Sequence, residues 1–586
     1  MSKREFGIEG EYRYNRGSPA RWIASHILRY PYLPITVVIL YTASNYLDTR
    51  GPVYIGRAFD NILSPGRSAS VLLMFAVSLL AVRLGESVIN LIANTTNEVM
   101  AQRLERDARD ELYLSLLGKS LTFHGRQRVG DLMARATNDV RQLNFMFSPG
   151  MRLIFSSAMA TLMPLIAIGQ LEPRLLAMPL IFVVALVFTV RDYSLRLNPV
   201  AEAQQEQYGL INARLAETIG GIDVVKANAQ EEQEQRQFTE GAAVYRDLSV
   251  RQGVIQARYV PLLAYYIMLP LAFVHAVYLH LHGMVTLGEI VAYMGLLGIL
   301  QFPTFISIFT FMLVQLGLAG AERILELVKA ETELDENATG VEKPVEGNVV
   351  FEDVSFSYDG KPVLKNVSFQ ARPSETIAIV GQTGSGKTTL TRLINRIFDV
   401  SQGRVLVDGV DVRDWRLESL RSQISGIEQD IFLFSRSIAE NIAFGARQEL
   451  SREHIERCAR EAQAHEFIMQ FSQGYDTIVG ERGVTLSGGQ RQRIAIARAF
   501  ATSPRILILD DSTSAIDSAT EDQIQAAMNR VRRGRTTFLI THRLSQIRWA
   551  DRIIVLRRGE LVDQGTHEEL FARSEAYRSI FARLGD

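Results

Sequence analysis

The stretch Gly381–Thr388 reads Gly-Gln-Thr-Gly-Ser-Gly-Lys-Thr and matches the phosphate-loop pattern G-x-x-x-x-G-K-[ST]. An apolar, β-branched run, Thr376–Val380, precedes it as a buried parallel strand should, and Lys387–Ile397 can continue as a helix. In this order the glycines let backbone N–H groups approach phosphate oxygens, whose charge the helix dipole favours. The stretch therefore predicts a nucleotide site rather than a simple glycine-rich turn.

The side chains of this loop have expected tasks. Lys387 is expected to reach the β- and γ-phosphates, and Thr388 to bind Mg²⁺ through its hydroxyl. We therefore expect ATP and Mg²⁺ as cofactors. The predicted nucleotide contacts within the loop are Gly381, Gln382, Thr383, Gly384, Ser385, Gly386, Lys387, Thr388 and Thr389.

Composition narrows the class of protein. A chain of 586 residues is expected to hold several domains, and its net charge of -1 gives no basic excess for a nucleic-acid partner. The single cysteine, Cys458, excludes an internal disulfide framework and suits a reducing compartment. The first twenty residues are polar and carry Glu5, Glu9 and Glu11, so no signal peptide is expected.

Long apolar runs fill the first half of the chain. Several approach or exceed the roughly 20 residues that span a bilayer, and they predict six membrane helices near 31–47, 71–93, 151–169, 175–190, 260–279 and 287–318. A tight hairpin is expected at Gln170–Arg174. The polar, charged connections Asn94–Gly150 and Arg191–Tyr259 predict cytoplasmic extensions of these helices.

Charge predicts the orientation in the inner (plasma) membrane. Arg and Lys collect in the amino-terminal segment and the two long connections, so both termini and the second half of the chain are expected in the cytoplasm. Ser18-Pro19 begins a predicted helix, Ser18–Arg29, with Trp22, Ile23 and Ile27 on one face. We expect this helix to lie on the membrane surface; an ordinary soluble cap helix is the alternative.

Polar residues inside the apolar segments are candidates for a cavity lining. Arg83 and Glu86 share one helical face in the second segment, where charges are costly. A structural ion pair and a role in lining a path through the membrane are equally compatible with this pattern. Weaker candidates, each more often a helix–helix hydrogen-bond partner, are Asn45, Asn90, Asn94, His275 and Gln301.

The second half reads as a soluble α/β protein. A strand over Val349–Tyr358 delivers Tyr358, whose ring we expect to stack on adenine. A second strand, Arg505–Leu509, ends at Asp510 and Asp511, where Mg²⁺ needs a carboxylate.

Two further features complete this half. A strand over Thr536–Ile540 ends at Thr541-His542, and Arg552–Leu556 with Glu560–Asp563 predicts a β-hairpin. The predicted domains are an amino-terminal region with the surface helix (1–30), a membrane domain (31–330), a linker (331–348) and a nucleotide-binding domain (349–586).

Leu486–Gln490 reads Leu-Ser-Gly-Gly-Gln and is followed by RQRIAIARA. With the phosphate loop upstream and RILILDD downstream, the region 349–586 resembles the ATP-binding cassette family. The resemblance implies Gln429, Asp511 and His542 as catalytic residues, and Thr388, Gln429 and Asp510 as the Mg²⁺ site. It further implies nucleotide contacts at Tyr358, Asp510, Ser487, Gly488, Gly489 and Gln490, an acidic loop at Glu481-Arg482-Gly483, and a loop residue at Asp517.

The membrane half extends the resemblance. Phe123–Val140 and Asn212–Ala229 resemble the intracellular coupling regions of bacterial multidrug and lipid exporters, with short helices near Phe123–Arg128 and Leu215–Gly221. The implied fold is a bundle of six long transmembrane helices with cytoplasmic extensions, fused to an α/β phosphate-loop domain with an antiparallel β subdomain and a helical subdomain. The implied activity is ATP-driven export of amphipathic drugs, lipids or peptides by a dimer in alternating access, in which each signature contacts the partner's nucleotide. One of the two short helices commonly docks on the opposite cassette.

One departure from the family pattern affects the chemistry. The family places glutamate, the general base, after the Walker B aspartate, whereas this chain has Asp510-Asp511. A base must come within about 2.6–3.2 Å of its proton, and a misplacement of about 1 Å costs roughly a hundredfold in rate. The resemblance thus implies a hydrolytically weak site, paired with a non-identical chain that carries glutamate.

Other arrangements stay open from the sequence. A homodimer with slow hydrolysis is one, and an ATP-gated channel or regulatory membrane subunit is another. A soluble DNA-repair ATPase is excluded, because such proteins lack six apolar spans.

Overall fold

The computed structural model describes residues 3–8, 10–64, 68–480, 483–510 and 518–581. The chain divides into two compact units. The helical unit comprises Tyr12–Ser115 and Val129–Lys329. The sheet unit comprises Ala330–Asp586 together with Met1–Glu11 and Leu116–Arg128.

The first half of the chain is helical. Its α-helices are α1 Pro19–Leu28, α2 Tyr32–Leu63, α3 Ala69–Leu117, α4 Leu121–Arg126, α5 Val129–Ala134, α6 Val140–Phe145, α7 Arg152–Leu171, α8 Ala177–Gly220, α9 Ile222–Ala227, α10 Glu231–Ala257, α11 Val260–Leu281, α12 Leu287–Ile299 and α13 Gln301–Lys329. π-Helical turns at Arg135–Asp139 and Met146–Met151 join α5, α6 and α7, and a 3-10 turn at Pro173–Leu176 joins α7 to α8.

The helical runs agree with the predicted membrane segments. Within the described ranges, five runs are long and apolar enough to cross a bilayer, and α1 with α2, bent by 90°, adds a sixth if the pair forms one span. Those five runs are Ala69–Leu117, Val129–Leu171, Pro173–Gly220, Glu231–Leu281 and Leu287–Ile306. The first has 49 residues, more than twice the roughly 20 that a bilayer requires, so α3 extends well beyond the apolar layer.

Two predicted helix boundaries are wrong. The segment near 287–318 is broken at Leu300, because Pro303 has no N–H to donate to the carbonyl of Ile299. The second short coupling helix is α9 at Ile222–Ala227 rather than Leu215–Gly221. α8 continues to Gly220, and the glycine pair then interrupts it, since Gly221 takes φ -105° and ψ 22°.

Helix α1 begins as expected but buries the face assigned to lipid. The Ser18 hydroxyl caps the helix by accepting from the N–H of Arg21. Trp22 and Ile23 are buried, and the Trp22 indole N–H donates to Glu111 of α3 at 2.7 Å. Glu111 also accepts from Arg16 at 2.8 Å. The apolar face of α1 is therefore covered by protein. The donors from Trp22 and Arg16 compensate the charge of the buried Glu111 carboxylate on α3.

Helices α2 and α12 cross at two glycines. A Cβ atom at Gly56 would overlap the carbonyl oxygen of Gly288, and one at Gly288 would overlap the carbonyl of Gly56. Asp60, one turn further along α2, accepts from the N–H of Gly288 and from the Thr286 hydroxyl, both at 2.7 Å. The close approach thus lets a carboxylate cap the start of α12.

Gly56→Val should destabilise the helical unit by about 1–3 kcal/mol or more, because the side chain meets backbone that has no free space. The measurement is thermal unfolding of the purified protein in detergent. Gly85→Ala is the matched control, since its Cβ would meet only the Cδ1 of Leu47 at 3.9 Å. Equal melting of the two variants would show that α2 and α12 do not cross this closely.

The sheet unit contains strands and shorter helices. The strands are β1 Val349–Tyr358, β2 Lys361–Ala371, β3 Thr376–Gly381, β4 Gln402–Val407, β5 Val410–Asp411, β6 Ile424–Ile427, β7 Ile506–Asp510, β8 Thr536–Ile540, β9 Arg552–Arg557 and β10 Glu560–Gly565. The helices are α14 Lys387–Ile394, α15 Leu417–Arg421, α16 Ile438–Ala443, α17 Arg452–Glu461, α18 His465–Met469, α19 Gly488–Thr502, α20 Ser518–Arg532, α21 Leu544–Ile547, α22 His567–Arg573 and α23 Glu575–Phe581, with a 3-10 turn at Gly474–Asp476.

These strands form two sheets in the described residues. One is antiparallel with the order β2-β1-β4-β5, and the other has the order β10-β9-β3-β8-β7-β6. In the second sheet β10 is antiparallel, whereas β9, β3, β8, β7 and β6 run parallel. Phe351 of β1, Ile379 of β3 and Leu390 of α14 belong to one buried cluster, so α14 packs between the two sheets.

Helices α16 to α19 form the helical subdomain, and its apolar cluster continues into β7, β8 and α20. Ile438, Ile455, Phe467 and Ile494 are buried together in a second apolar cluster. This arrangement confirms the predicted fold of the second half, an α/β domain with an antiparallel β subdomain and a helical subdomain.

Candidate functional site

The parallel strands deliver their carboxyl ends to one edge of the sheet. In the register, Ile379 of β3 and Asp510 of β7 both lie opposite Ile540 of β8, while Leu509 lies opposite Ile427 of β6. The carboxyl ends of β3, β6, β7 and β8 therefore lie side by side. Such an edge is where open α/β sheets bind ligands.

The phosphate loop joins β3 to α14 through left-handed glycines. Gly384 and Gly386 have φ values of 79° and 98°, which other residues adopt only with strain. The Lys387 ammonium donates to the carbonyl of Gly381 at 2.9 Å and to that of Gln382 at 3.2 Å. The loop thus curls around the lysine at the beginning of α14. A phosphate bound there would offer its anionic oxygens to the Lys387 ammonium in place of the two carbonyls.

Ser385 gives an observation that fits a ligand in this loop. Its side chain is buried, and its hydroxyl has no hydrogen-bond partner among the described residues. A buried hydroxyl without a partner costs free energy, so a phosphate oxygen at the loop would satisfy it. The neighbouring residues Gln382, Thr383 and Gly384 are exposed, which leaves the loop open to an incoming nucleotide.

The Thr388 hydroxyl donates to the Asp510 carboxylate at 2.7 Å. This contact joins the first turn of α14 to the end of β7 and brings together two hard oxygen ligands of the kind that Mg²⁺ prefers. No cluster of three or more His, Cys, Asp or Glu suited to a metal occurs in the described ranges. A few protein oxygens completed by phosphate oxygens and water are what Mg²⁺ usually takes, so the residues present fit the group.

A cavity of about 220 Å³ lies beside this pair. Thr388, Asp510 and Gln429 line it, so the structure brings the three predicted Mg²⁺ residues together. The other lining residues, which sequence analysis did not single out, are Leu121, Thr391, Arg392, Asn395, Ile397, Gly426, Ile427, Glu428, Asp430 and Ile508. Glu428 and Asp430 form a polar run with Gln429 directly after an apolar strand, and this pattern can be recognised in the sequence. The sequence around Leu121 has no pattern that indicates a place beside this cavity.

Leu121 belongs to α4, the first predicted coupling helix. α4 is part of the sheet unit, where Arg126 also donates to Asp359 in the turn after β1. The buried Lys119 and Ser120 just before α4 bond to the chain around residue 330, with the Ser120 N–H donating to the Thr332 hydroxyl at 2.9 Å. The helix therefore contacts the nucleotide-binding domain of its own chain.

Tyr358 is half-buried and held at right angles to two phenylalanines. Its ring centroid lies 4.7 Å from that of Phe356 and 5.3 Å from that of Phe398. Its hydroxyl lies 3.4 Å from that of Thr389, in the helix after the phosphate loop. This packing fixes the ring next to the start of α14.

The signature sequence forms the start of α19. The Ser487 hydroxyl accepts from the N–H of Gln490 at 3.3 Å, and the Gln490 side chain accepts from the N–H of Ser487 at 2.9 Å. Ser487 and Gly488 are exposed, whereas Gly489 is buried. None of these residues lines the cavity beside Thr388, so the signature is not part of this chain's own phosphate site in the described structure.

The remaining predicted site residues are His542 and four residues that the structure does not describe. His542 follows β8 and is half-buried, next to Thr541, whose hydroxyl donates to Gln546 at 2.6 Å. Asp511 and Asp517, as well as Glu481 and Arg482 of the acidic loop, lie outside the described residues.

Polar residues of the helical unit also come together. Glu86, Asn45, Asn90 and Gln301 line one cavity. Asn94 accepts from Tyr41 and Arg152 beside it, both at 2.8 Å. The lining of this cavity includes neither His275 nor Arg83.

Comparisons with known proteins agree with this architecture. Residues 35–304 match the family model for the ABC transporter transmembrane region, and residues 364–514 match the model for the ABC transporter domain. The solved structure of a bacterial Atm1-family ABC exporter with ATP bound has a TM-score of 0.78 and 28% identity, covering 94% of this chain and 97% of that one.

Curated relatives match along most of their length. A putative multidrug export ATP-binding/permease protein, YgaD of Bacillus subtilis (strain 168), is 35% identical over 82% of this chain and 84% of its own. An ATP-dependent lipid A-core flippase of Syntrophus aciditrophicus (strain SB) is 35% identical over 82% and 80%. The chain therefore belongs to the ABC transporter family, with a helical transmembrane domain fused to an ATPase domain that binds ATP and couples its hydrolysis to export.

Proposed function

We propose that this chain is one half of a heterodimeric exporter, and that its own ATP site binds nucleotide firmly but hydrolyses it slowly. The observation that carries the proposal is the contrast at the end of β7. Thr388, Asp510 and Lys387 form a complete binding arrangement, whereas the residue after Asp510 is aspartate instead of the family's glutamate. Binding and catalysis thus depend on different residues, and only the catalytic one departs from the pattern.

The proposed roles combine the contacts at the phosphate loop with the family resemblance. The loop from Gly381 to Thr389 holds the phosphates, and Tyr358 stacks on the adenine. Thr388, Gln429 and Asp510 hold Mg²⁺, which supplies positive charge to the β- and γ-phosphates. Asp511 takes a proton from the attacking water, while His542 and Gln429 position the γ-phosphate and that water.

Two features favour a second chain. Ser487 and Gly488 at the start of α19 are exposed, with the N-terminal end of a 15-residue helix open to an anion. Helix α9 exposes Ile222 and Val224, at 43% and 66% of their areas. In the proposed dimer Ser487, Gly488, Gly489 and Gln490 contact the partner's ATP, and α9 docks on the partner's nucleotide-binding domain.

The proposed cargo is an amphipathic compound, a drug, lipid or peptide, moved outward across the inner membrane. The relatives named for multidrug export and for lipid A-core flipping support this class. The proposed orientation places both termini and the ATPase domain in the cytoplasm, as the distribution of Arg and Lys favours.

The native mass of the complex tests the proposal. The chain is affinity-tagged, purified from its own host's membrane and weighed intact in detergent. We expect two different subunits, with glutamate after the Walker B aspartate of the partner. Two copies of this chain would overturn the heterodimer and leave Asp511 as the base in both sites. Recovery of this chain as a subunit of a larger channel would favour a regulatory role instead.

A further inference from the structure

A cavity of about 860 Å³ lies within the helical unit. It is lined by α2, α3, α7, α11, α12 and α13, and its wall mixes aromatic rings with charged groups. Tyr266, Phe302 and Phe305 present exposed rings to it, as befits a site for an apolar body. The charged lining residues are Asp48, Glu86 and Arg152.

The acidic end of this cavity is short of positive charge. Asp48 accepts from Arg83 at 2.5 Å, and Glu86 lies 3.8 Å from the same guanidinium. One arginine thus serves two carboxylates, and no hydrogen bond from the described residues reaches Glu86. Because charges in a membrane domain are costly without compensation, this end is ready to accept a cation.

The opposite charge stands elsewhere in the same cavity. The Arg152 guanidinium donates to Asn94 at 2.8 Å, and within the described ranges no carboxylate lies within 4.0 Å of it. Among the described residues its compensation comes from neutral groups, the amide oxygen of Asn94 and the nearby hydroxyl of Tyr41, which itself donates to Asn94. This end is therefore ready to accept an anion.

The spacing on α3 separates the two ends. Asn94 accepts a hydrogen bond from Arg152 and lies eight residues beyond Glu86 on α3. This separation is roughly 12 Å along the helix at 1.5 Å per residue. The two ends therefore cannot neutralise each other through one hydrogen bond. A ligand with a positive and a negative group well apart could satisfy both.

We propose that this cavity selects zwitterionic amphipaths, with the ammonium group at Glu86, the anionic group at Arg152 and the apolar body on the aromatic rings. The inference rests on the proposed export function and names the charge class of its cargo. An apolar peptide of about four residues with free termini offers this chemistry, because its two charges lie at opposite ends of an extended chain.

Equilibrium binding without ATP tests the charge pattern. The probes are four forms of one radiolabelled apolar tetrapeptide, an extended chain of roughly 13 Å at about 3.3 Å per residue. Its termini are free, acetylated, amidated or blocked at both ends. With the native complex in nanodiscs, we expect the free form to bind at least about tenfold more tightly than either singly blocked form.

Two variants assign the ends. Glu86→Gln should cost about tenfold for peptides with a free amine and nothing for acetylated ones, while Arg152→Gln should cost as much only for peptides with a free carboxylate. Glu86→Asp and Arg152→Lys keep the charges and should keep the preference. Asp192→Asn removes an exposed carboxylate of α8, paired with Arg196 outside the cavity, and is the matched control.

The outcomes separate this inference from the export proposal. Equal binding of the four peptides would overturn the proposed charge selectivity, even if ATP-driven export of another compound were shown. The same holds if the Glu86 and Arg152 variants lose affinity equally for peptides with free and with blocked termini. Selective binding without transport would sustain it and count against export. Displacement of the free peptide by phosphatidylethanolamine but not by phosphatidylglycerol would show that closely spaced charges suffice, and would overturn the requirement for two separated charge sites.

Discussion

Replacing Lys387 with alanine should lower the affinity of this chain's own site for ATP by at least about a hundredfold. Lys387 is the cation at the centre of the phosphate loop, where its ammonium donates to the carbonyls of Gly381 and Gln382. Truncating one partner of a desolvated charge pair costs about 2–5 kcal/mol, and a hundredfold is about 2.8 kcal/mol. The loop itself should survive, because its glycines and the register of β3 set its shape.

Photolabelling with an azido-ATP measures this loss on the chain itself. After cross-linking, the subunits of the native complex are separated, so label on this chain is counted apart from label on its partner. Lys365→Ala is the matched control, since that lysine is exposed and its ammonium lies 3.8 Å from the carboxylate of Glu560 in β10. Undiminished labelling of the Lys387 variant would show that the loop does not hold the phosphates.

Changing Asp511 to glutamate should raise hydrolysis at this chain's own site by up to about a hundredfold. The added methylene moves the carboxylate toward the water by about 1 Å, a displacement that changes rates on this scale. ATP affinity should stay nearly constant, because Thr388, Asp510 and Lys387 are untouched. The effect is expected in the rate of the chemical step and not in binding.

Vanadate trapping of labelled nucleotide on this chain reports the gain, with the partner left unchanged. Asp414→Glu makes the same chemical change at an exposed position of the same unit and should leave trapping as it was. An Asp511 variant that traps no more nucleotide than the parent would mean that the aspartate already serves as an adequate base. The site would then not be degenerate, and the case for an unlike partner would lose its main support.

Much of the nucleotide-binding domain could be predicted from local patterns. β1 and β8 have the predicted bounds, β3 extends one residue further, and β7 is shifted by one residue toward the carboxyl terminus. β3, β7 and β8 are short apolar runs because they are buried on both faces, whereas β1 shows the alternation of a strand with one buried face. Thr388 and Asp510 could be paired before their contact was known, since loops at the carboxyl ends of parallel strands converge.

The membrane half was predictable in its number of segments but less so in its breaks. Hydropathy finds long apolar helices reliably, because the bilayer sets their length. The division at Leu300 depends on a single missing N–H at Pro303, and the start of α9 depends on the pair Gly220–Gly221. An average of hydropathy over a window of twenty residues does not detect effects that depend on one or two residues.

The family, the two-part architecture and the identity of the phosphate-loop residues can be predicted from short motifs and from hydropathy, because both are local properties of the chain. Which distant residues meet depends on the three-dimensional packing. In the structure Trp22 is buried against Glu111, and Leu121 lies beside Thr388 and Gln429. Arg83 forms ion pairs with both Asp48 and Glu86. Each of these contacts joins residues from separate elements, and their partners are chosen by packing and charge compensation in three dimensions, which no local pattern encodes.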